Sequence, residues 1–237
     1  MSSSGRNETT LRQELIQGIS ILERLGILDF NGHFSARLDD GSILINTGSS
    51  VRSAIGPQDF VIVGPSDEAP EGAPQPPAEL PLHVAVYRAR ADIQAVVHGH
   101  PEWSTLLSSS GRAYQVTMAQ GALLGDVPSF PSPLSMNNSD IANAAVQLLG
   151  GGRAALLRAH GSVVVGRDVL EATVLAIYLE LNAERQVRAT ALGEAYAFSD
   201  DEIHAFQQGL EKRGLFEKCW NYYLAKFGLT ASAGATT

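Results

Sequence analysis

Two histidines separated by a single glycine, His98 and His100, follow the apolar residues Val96 and Val97. Side chains at positions i and i+2 of a strand lie on the same side, so the two imidazoles can converge on one point. Neutral imidazole is a common ligand of zinc and of other divalent transition metals. The pair therefore predicts a metal site, although the pattern H-x-H by itself is weak.

A carboxylate and a third histidine strengthen this prediction. Glu79 stands at the start of a predicted helix, and His160 closes a second apolar run at residues 154–159. Three imidazoles and one carboxylate suit a single divalent ion. A structural role is the alternative for each histidine taken singly, and we interpret His83, inside the helix that follows Glu79, as a packed or surface residue.

A second polar cluster lies directly after a predicted strand. It consists of Thr47, Gly48, Ser49 and Ser50, whose backbone N–H groups and hydroxyls could cradle an anion. An ordinary loop is the equal alternative. Arg52, two residues further on, would add a fork-shaped donor for a carboxylate, with a surface position as its alternative.

The composition indicates a packed protein without a nucleic-acid partner. The 237 residues fit one large α/β domain or two small ones, and 44% of them are hydrophobic. A net charge of −8 disfavours binding to phosphate backbones. With one cysteine, Cys219, the chain cannot form an internal disulfide, so we expect a reducing cytoplasm as its compartment. We expect no signal peptide and no membrane span.

Apolar periodicity and turn residues predict alternating strands and helices. Helices are expected at residues 11–25, 79–90, 139–149, 168–191 and from Ser199 onward, with strands near 33–38, 43–45, 60–63, 92–97, 154–160 and 162–166. We expect a flexible N-terminus over residues 1–8, one domain over 9–228 and a flexible C-terminal tail over 229–237.

Taken in order, these motifs resemble the class II aldolase/adducin family. They are G-H-F-S at 32–35, T-G-S-S at 47–50, Glu79 before a helix, H-G-H-P at 98–101 and A-H-G at 159–161. The resemblance covers roughly residues 10–225. It implies a single α/β domain with a central, mainly antiparallel sheet flanked by helices, and homotetramers with active sites at subunit interfaces.

The same resemblance implies a site for one divalent metal ion per subunit, whether zinc, manganese or cobalt. His98, His100 and His160 would be its ligands. Glu79 would serve as a further ligand or as the acid/base. The ion would act as a Lewis acid on a small anionic substrate.

The chain departs from the sugar-phosphate aldolases of this family where they bind phosphate. Their G-N-x-S turn becomes a turn that contains His33, and their serine pair before the catalytic glutamate becomes Pro77-Ala78. A buried phosphate dianion needs those missing donors. The aldolases also use a tyrosine about nineteen residues after H-x-H, where this chain has Ala119, so we expect Tyr222 or Tyr223 of the C-terminal region to replace it.

These departures resemble the branch of metal-dependent decarboxylases that act on hydroxylated aromatic acids such as dihydroxyphthalate. Arg52 and the loop at 47–50 would then hold a substrate carboxylate, His33 would orient or protonate the substrate, and Tyr223 would be a catalytic residue. Phe34 or aromatic residues of the tail would stack on its ring. We therefore expect a lyase of aromatic catabolism, with a class II aldolase and a non-catalytic adducin-like interaction domain as the alternatives.

Overall fold

Seven strands pair into one sheet in the computed structural model, which describes residues 7–64 and 69–229. The strands are β1 (His33–Arg37), β2 (Ile43–Asn46), β3 (Phe60–Val63), β4 (Ala95–Gly99), β5 (Ser129–Phe130), β6 (Ala154–Leu157) and β7 (Gly161–Gly166). Their order across the sheet is β3-β2-β1-β4-β7-β6-β5. Every neighbouring pair is antiparallel except β5 with β6. The expected α/β domain with a mainly antiparallel sheet is confirmed.

Helices cover both faces of this sheet. They are α1 (Glu8–Arg24), α2 (Leu80–Ala89), α3 (Glu102–Ser109), α4 (Ser139–Leu149), α5 (Val169–Leu192), α6 (Asp200–Leu210) and α7 (Arg213–Phe227). Short 3-10 turns lie at Arg52–Ala54, Pro57–Asp59 and Ala119–Leu124. Among the described residues, no helix combines the length and apolar character that crossing a bilayer requires.

The strands bury side chains on both faces because two separate hydrophobic layers sandwich the sheet. In β2, Leu44 packs into the layer that contains α1 and α5, whereas Ile43 and Ile45 pack into the layer that contains α2 and α4. Burial of each such side chain contributes roughly 1.5–3 kcal/mol. Two-sided burial explains why these strands read as continuous apolar runs instead of alternating ones.

The helix ends agree in part with the sequence signals. The Asn7 side chain caps α1, and Glu8 and Thr9 already belong to that helix, which therefore begins before the predicted helix start at Leu11. Ser199 forms the predicted capping box with Glu202. The remaining residues that we predicted to be flexible, 1–6 and 230–237, lie outside the described residues.

Residues 112–135 hold little regular structure beyond a 3-10 turn and β5, as the mixed pattern of the sequence predicts. A buried amide on α5 positions this segment. The Asn182 side chain accepts hydrogen bonds from the backbone N–H groups of Thr117 (2.8 Å) and Met118 (3.1 Å), and it donates to the carbonyl of Gln115 (2.8 Å). These bonds anchor the start of the segment, and its end, at Pro133 and Ser135, lines the candidate site.

Candidate metal centre and active site

Three separate elements bring the four predicted metal ligands together. His98 and His100 stand at the end of β4, Glu79 is the residue before α2, and His160 lies in the turn between β6 and β7. One potential ligand atom from each residue lies within 4.8 Å of the others. The antiparallel pairing of β4 with β7 causes this convergence, since it places the two histidine-bearing ends side by side.

Hydrogen bonds on the far side of two rings aim their free nitrogens into the cluster. His98 Nδ1 lies 3.0 Å from the carbonyl oxygen of Ser162, and His100 Nδ1 lies 3.0 Å from Asp29 Oδ1. With each Nδ1–H donating outward, each Nε2 carries a lone pair. The two Nε2 atoms are 3.2 Å apart. Two lone pairs at that distance repel each other unless a cation lies between the rings, so the donor set fits a divalent metal ion.

The carboxylate of Glu79 is held in a fixed orientation. Its Oε1 accepts hydrogen bonds from Ser135 Oγ (2.8 Å) and from the backbone N–H of Met136 (2.7 Å). Its Oε2 lies 3.1 Å from His98 Nε2 and 3.3 Å from His33 Nε2. Burial opposes ionisation, but the hydrogen bond from His33, the adjacent His98 ring and the hydrogen bond from Ser135 hold the pKa of Glu79 well below its ordinary value. The carboxylate is therefore ionised and can only accept.

Close backbone packing positions His160. A Cβ added at Gly161 would lie 2.2 Å from the carbonyl oxygen of Gly99, so only glycine lets this turn approach the H-G-H segment. Ala159 takes up a φ of 54°, an uncommon conformation for a residue with a side chain. The rings of His160 and His100 stack at 5.2 Å with 12° between their planes. Burial lowers the pKa of His160 and favours the neutral form that binds metal.

His33 lies directly opposite His98 in the pairing of β1 with β4. Their ring centroids are 4.8 Å apart, and burial lowers the pKa of His33 to about 4. His33 is therefore neutral at physiological pH, which suits a hydrogen-bonding role better than proton donation. The next residue, Phe34, points to the opposite face and is fully buried in the core. Our expectation that Phe34 stacks on a substrate ring is wrong, because successive strand residues face opposite sides.

His83 is packed, as predicted, and it is fully buried. Its Nε2 lies 2.7 Å from His33 Nδ1 and its Nδ1 lies 2.6 Å from Ser35 Oγ. It is not part of the metal cluster. Its contacts nevertheless link it to the site through His33.

A pocket of about 500 Å³ opens beside the metal cluster. Its lining combines three residues of the cluster, His33 and several residues of the neighbouring loops: Asn31, His33, Gly48, Arg52, Pro77, Ala78, Glu79, His100, Pro133, Ser135 and His160. Of the loop residues predicted to bind substrate, Gly48 and Arg52 reach this pocket. Thr47, Ser49 and Ser50 are not among its lining residues.

Arg52 brings a buried positive charge to the pocket. The residue is only 4% exposed, and its Nε donates to the carbonyl of Gly32 (2.6 Å). Its Nη1 donates to the hydroxyl of Ser50 (2.7 Å) and to the carbonyls of Ser50 and Thr47. Within the described residues, no carboxylate lies within 4.0 Å of the guanidinium and no hydrogen bond involves Nη2. The surface alternative for Arg52 is therefore wrong.

The T-G-S-S loop supports Arg52, and most of its backbone donors are already bound within the protein. The N–H groups of Thr47, Gly48 and Ser50 donate to the carbonyls of Asp59, Gln75 and Thr47, respectively. Ser49 is exposed. The anion cradle expected from residues 47–50 is thus occupied by the protein's own carbonyls at three of its four positions. The sequence pattern could not reveal this, because two of those carbonyls belong to distant segments.

Tyr223 lies away from the pocket of its own chain. It is half-buried on α7 beside Tyr222 and Phe227, and it lines a separate cavity of about 260 Å³. Burial raises the pKa of its hydroxyl. Any contact of Tyr223 with an active site therefore requires a second subunit.

Asp29, Asn31 and Ser135 belong to the site but escaped the sequence interpretation. Asp29 accepts from His100 and also from the backbone N–H groups of Asn31 and Gly32. This is the local pattern of an Asx turn, and an aspartate two residues before Asn-Gly could have signalled it. Ser135 carries no comparable signal, since it lies 56 residues from the carboxylate that it binds.

Comparisons with known proteins show the family and the fold. The family described as "Class II Aldolase and Adducin N-terminal domain" matches residues 13–187. A 3,4-dihydroxyphthalate decarboxylase of Terrabacter sp. (strain DBF63) is 31% identical over 201 residues, which cover 78% of this chain and 84% of that protein. A 5-methylthioribulose-1-phosphate/5-deoxyribulose-1-phosphate aldolase of Rhodospirillum rubrum is 30% identical, covering 81% of this chain and 87% of the aldolase.

A solved structure supports the fold. The aldolase II superfamily protein from Pseudomonas syringae superposes with a TM-score of 0.81 at 22% identity, covering 93% of each chain. At that identity the likeness concerns the fold alone.

Proposed function

Since this chain belongs to the class II aldolase/adducin family, whose enzymes are lyases, we propose that it uses a divalent metal to decarboxylate a hydroxylated aromatic acid. The net reaction replaces a carbon–carboxylate bond by a carbon–hydrogen bond, releases CO2 and takes up one proton. The dihydroxyphthalate decarboxylase of Terrabacter is among the similar proteins. A role in the catabolism of aromatic compounds follows from that substrate class.

Four side chains would hold the metal, with His98, His100 and His160 offering nitrogens and Glu79 an oxygen. Zinc, manganese and cobalt all accept such ligands. When bound, the ion supplies a Lewis acid that polarises a substrate oxygen. Glu79, held by Ser135, is the proposed proton acceptor when it is not a ligand, for a substrate hydroxyl whose acidity a bound ion would raise.

The buried charge of Arg52 is the observation that carries the choice of a carboxylate substrate. A guanidinium that forms no direct ion pair is costly to bury even with the charges of Asp29 and Asp59 in its surroundings, and an anion in the adjoining pocket would offset that cost. A phosphate dianion would need several further donors. Here the neighbouring N–H of Gly48 is already bound, and Pro77 and Ala78 present no hydroxyl. One planar cation suits one carboxylate.

His33 would orient this substrate through its Nε2, which faces both the pocket and Glu79. A neutral ring is a poor source of the proton that replaces CO2. We assign that proton to Tyr223 of a neighbouring subunit in a homotetramer. Three exposed apolar residues adjoin the pocket in sequence, Phe30, Val51 and Leu134, and a neighbouring subunit would cover them. Thr47, Ser49 and Ser50 would act on the substrate only by shaping the loop that holds Arg52.

A substrate screen tests the proposal. Purified chain loaded with zinc, manganese or cobalt would be incubated with ortho-hydroxy aromatic acids, and CO2 release would be measured. Activity should disappear with a chelator and with His98→Ala. Activity that survives both treatments would contradict the metal mechanism.

Arg52→Met should lower kcat/KM for the carboxylate by about 10- to 150-fold, which is the weight of a hydrogen bond to a charged group. Arg90→Met is the matched control, because Arg90 pairs with Asp92 away from the pocket and should leave kcat/KM unchanged. An equal effect of both substitutions would refute the role assigned to Arg52.

An aldolase is the second candidate, favoured by the Rhodospirillum aldolase at nearly the same identity and by the Thr47-Gly48 pair. Release of an aldehyde from a sugar phosphate, without CO2, would establish it. A non-catalytic adducin-like domain would instead bind no metal at the histidines. With a single cysteine, we place the protein in the cytoplasm.

A further inference from the structure

A hydrogen-bonded series of four buried polar side chains leads from the interior of the protein to the pocket. The Tyr87 hydroxyl lies 2.8 Å from Ser35 Oγ, which lies 2.6 Å from His83 Nδ1. His83 Nε2 lies 2.7 Å from His33 Nδ1, and His33 Nε2 faces Glu79 Oε2 at 3.3 Å. The first four residues are all at most 6% exposed, so the protein itself must satisfy their donors and acceptors.

At the pocket end of this series, Glu79 fixes the direction in which the hydrogen bonds are donated. The ionised carboxylate of Glu79 can only accept, so a favourable contact requires an N–H at His33 Nε2. A neutral imidazole carries one N–H, which leaves His33 Nδ1 as an acceptor. His83 must then donate to it through Nε2. Burial lowers the pKa of His83 far below its ordinary value, so this ring also carries a single N–H near neutral pH.

At the interior end of the series, Tyr87 and Ser35 favour the same direction of donation. With Nε2 of His83 as its donor, Nδ1 accepts from the Ser35 hydroxyl, and Ser35 accepts from the Tyr87 hydroxyl. In the reverse direction His83 would donate to Ser35, and one of the two hydroxyl hydrogens, that of Ser35 or that of Tyr87, would have no acceptor within hydrogen-bond distance in the part of the chain that the structure describes. His33 would also turn a lone pair toward the carboxylate of Glu79. One direction satisfies every member, and the other leaves both ends unsatisfied.

We infer that Tyr87, Ser35 and His83 form a positioning relay that holds His33 in the tautomer with its N–H at Nε2, directed toward the pocket. The relay keeps that N–H available when Glu79 is engaged elsewhere. A fixed donor favours a ligand that presents a carboxylate or carbonyl oxygen and disfavours one that presents its own donor. The inference rests on the proposed function only for the identity of that ligand, since the tautomer is a property of the protein alone.

Nuclear magnetic resonance of the full chain, labelled with 15N at histidine, tests the relay. Two-bond proton–nitrogen correlations distinguish a protonated ring nitrogen from a bare one, with and without added zinc. The chain contains six histidines, and His33→Asn identifies the signals of His33. We expect His33 to be protonated at Nε2. Protonation at Nδ1 in the unmodified protein would overturn the inference.

Substitutions at His83 separate a relay from simple packing. His83→Leu removes the donor to His33 Nδ1 and should lower the ratio of the Nε2–H to the Nδ1–H tautomer by about fivefold, the weight of one neutral hydrogen bond. His83→Gln keeps an N–H donor and an acceptor oxygen, so it should preserve the ratio. An unchanged ratio in folded His83→Leu would overturn the relay.

A matched pair of tyrosine variants decides the question even if His83→Leu does not fold. Tyr87→Phe removes the hydroxyl that orients Ser35, and it should lower the tautomer ratio of His33. Tyr114→Phe is the control, because that hydroxyl is buried without a hydrogen-bond partner in the described part of the chain. It should leave the ratio unchanged. Equal effects of the two variants, or none in either, would overturn the relay.

Activity measurements keep the two proposals apart. If the variants shift the tautomer but no aromatic acid is decarboxylated by any form, the proposed function fails and the relay stands. If decarboxylation occurs and its kcat and the tautomer ratio are both unmoved by Tyr87→Phe, the relay fails and the proposed function stands.

Discussion

Asp29 is expected to control metal affinity without touching the metal. Its Oδ1 lies 3.0 Å from His100 Nδ1, and it also accepts from the N–H groups of Asn31 and Gly32. Burial opposes its ionisation, but the hydrogen bond from His100 and these backbone donors keep its pKa below the ordinary value. The charged carboxylate therefore directs the Nε2 lone pair of His100 into the cluster and makes it more basic.

The expected loss of zinc affinity follows from the usual contribution of a carboxylate that hydrogen-bonds a metal-binding histidine. Loss of a carboxylate behind a metal-binding histidine weakens affinity by about 10- to 100-fold, or about 1.4–2.7 kcal/mol. Zinc at 100 times its Kd should stabilise the unmodified protein by about 2.7 kcal/mol. At the same zinc concentration, Asp29→Ala should gain only about 0.4–1.4 kcal/mol. For a chain of this length, the rise in Tm caused by zinc should fall from roughly 5–11 °C to roughly 1–6 °C.

Zinc titration in competition with a chelator, together with thermal unfolding with and without zinc, measures these quantities. Asp29→Asn keeps an acceptor for His100 without the charge, so its affinity should lie between the other two. Asp92→Ala is the control, because that carboxylate is 61% exposed and pairs with Arg90. The free energy of unfolding of the metal-free protein measures the loss of the turn contacts of Asp29 by itself, so that this loss can be separated from the loss of zinc affinity. Zinc binding by folded Asp29→Ala that is as tight as in the unmodified protein would refute the reasoning.

Three further outcomes are expected. The metal-free protein should lose stability as the pH falls from about 6.5 to about 4, since the unfolded chain there binds a proton that buried His33 excludes. His33 should contribute a slope that approaches about 1.4 kcal/mol per pH unit, and His33→Asn should remove that contribution in urea unfolding at several pH values, while buried His83 keeps its own. Gly99→Ala should lower the free energy of unfolding by about 1–3 kcal/mol, because its Cβ would lie 2.4 Å from a carbonyl oxygen. Gly209→Ala, which has open space around it in α6, should raise the free energy of unfolding by up to about 1 kcal/mol in the same assay. Each of the variants His98→Ala and Tyr223→Phe should be inactive by itself. Oligomers assembled from a mixture of the two should recover part of the activity if Tyr223 acts across an interface, and no recovery would contradict that assignment.

The sequence by itself determined the residue types of the metal cluster and most of the elements that carry them. The two-residue period of a strand predicts that His98 and His100 face the same way, and apolar runs predict where the strands end. Glu79 and His160 are recognisable because each stands at a boundary between elements. These signals are local, so no knowledge of distant contacts is needed to read them.

Only the tertiary structure decided how the pocket beside the cluster is built. The register of β1 against β4 places His33 opposite His98, and a shift by one residue would have placed Phe34 there. The backbone donors at residues 47–50 are bound by carbonyls from distant segments, whereas Arg52 is buried and directed to the pocket. Each outcome depends on which atoms of remote segments meet, and residue types and local spacing do not specify those meetings. The candidate metal ligands were therefore readable from the sequence, and the contacts that would select the substrate were not.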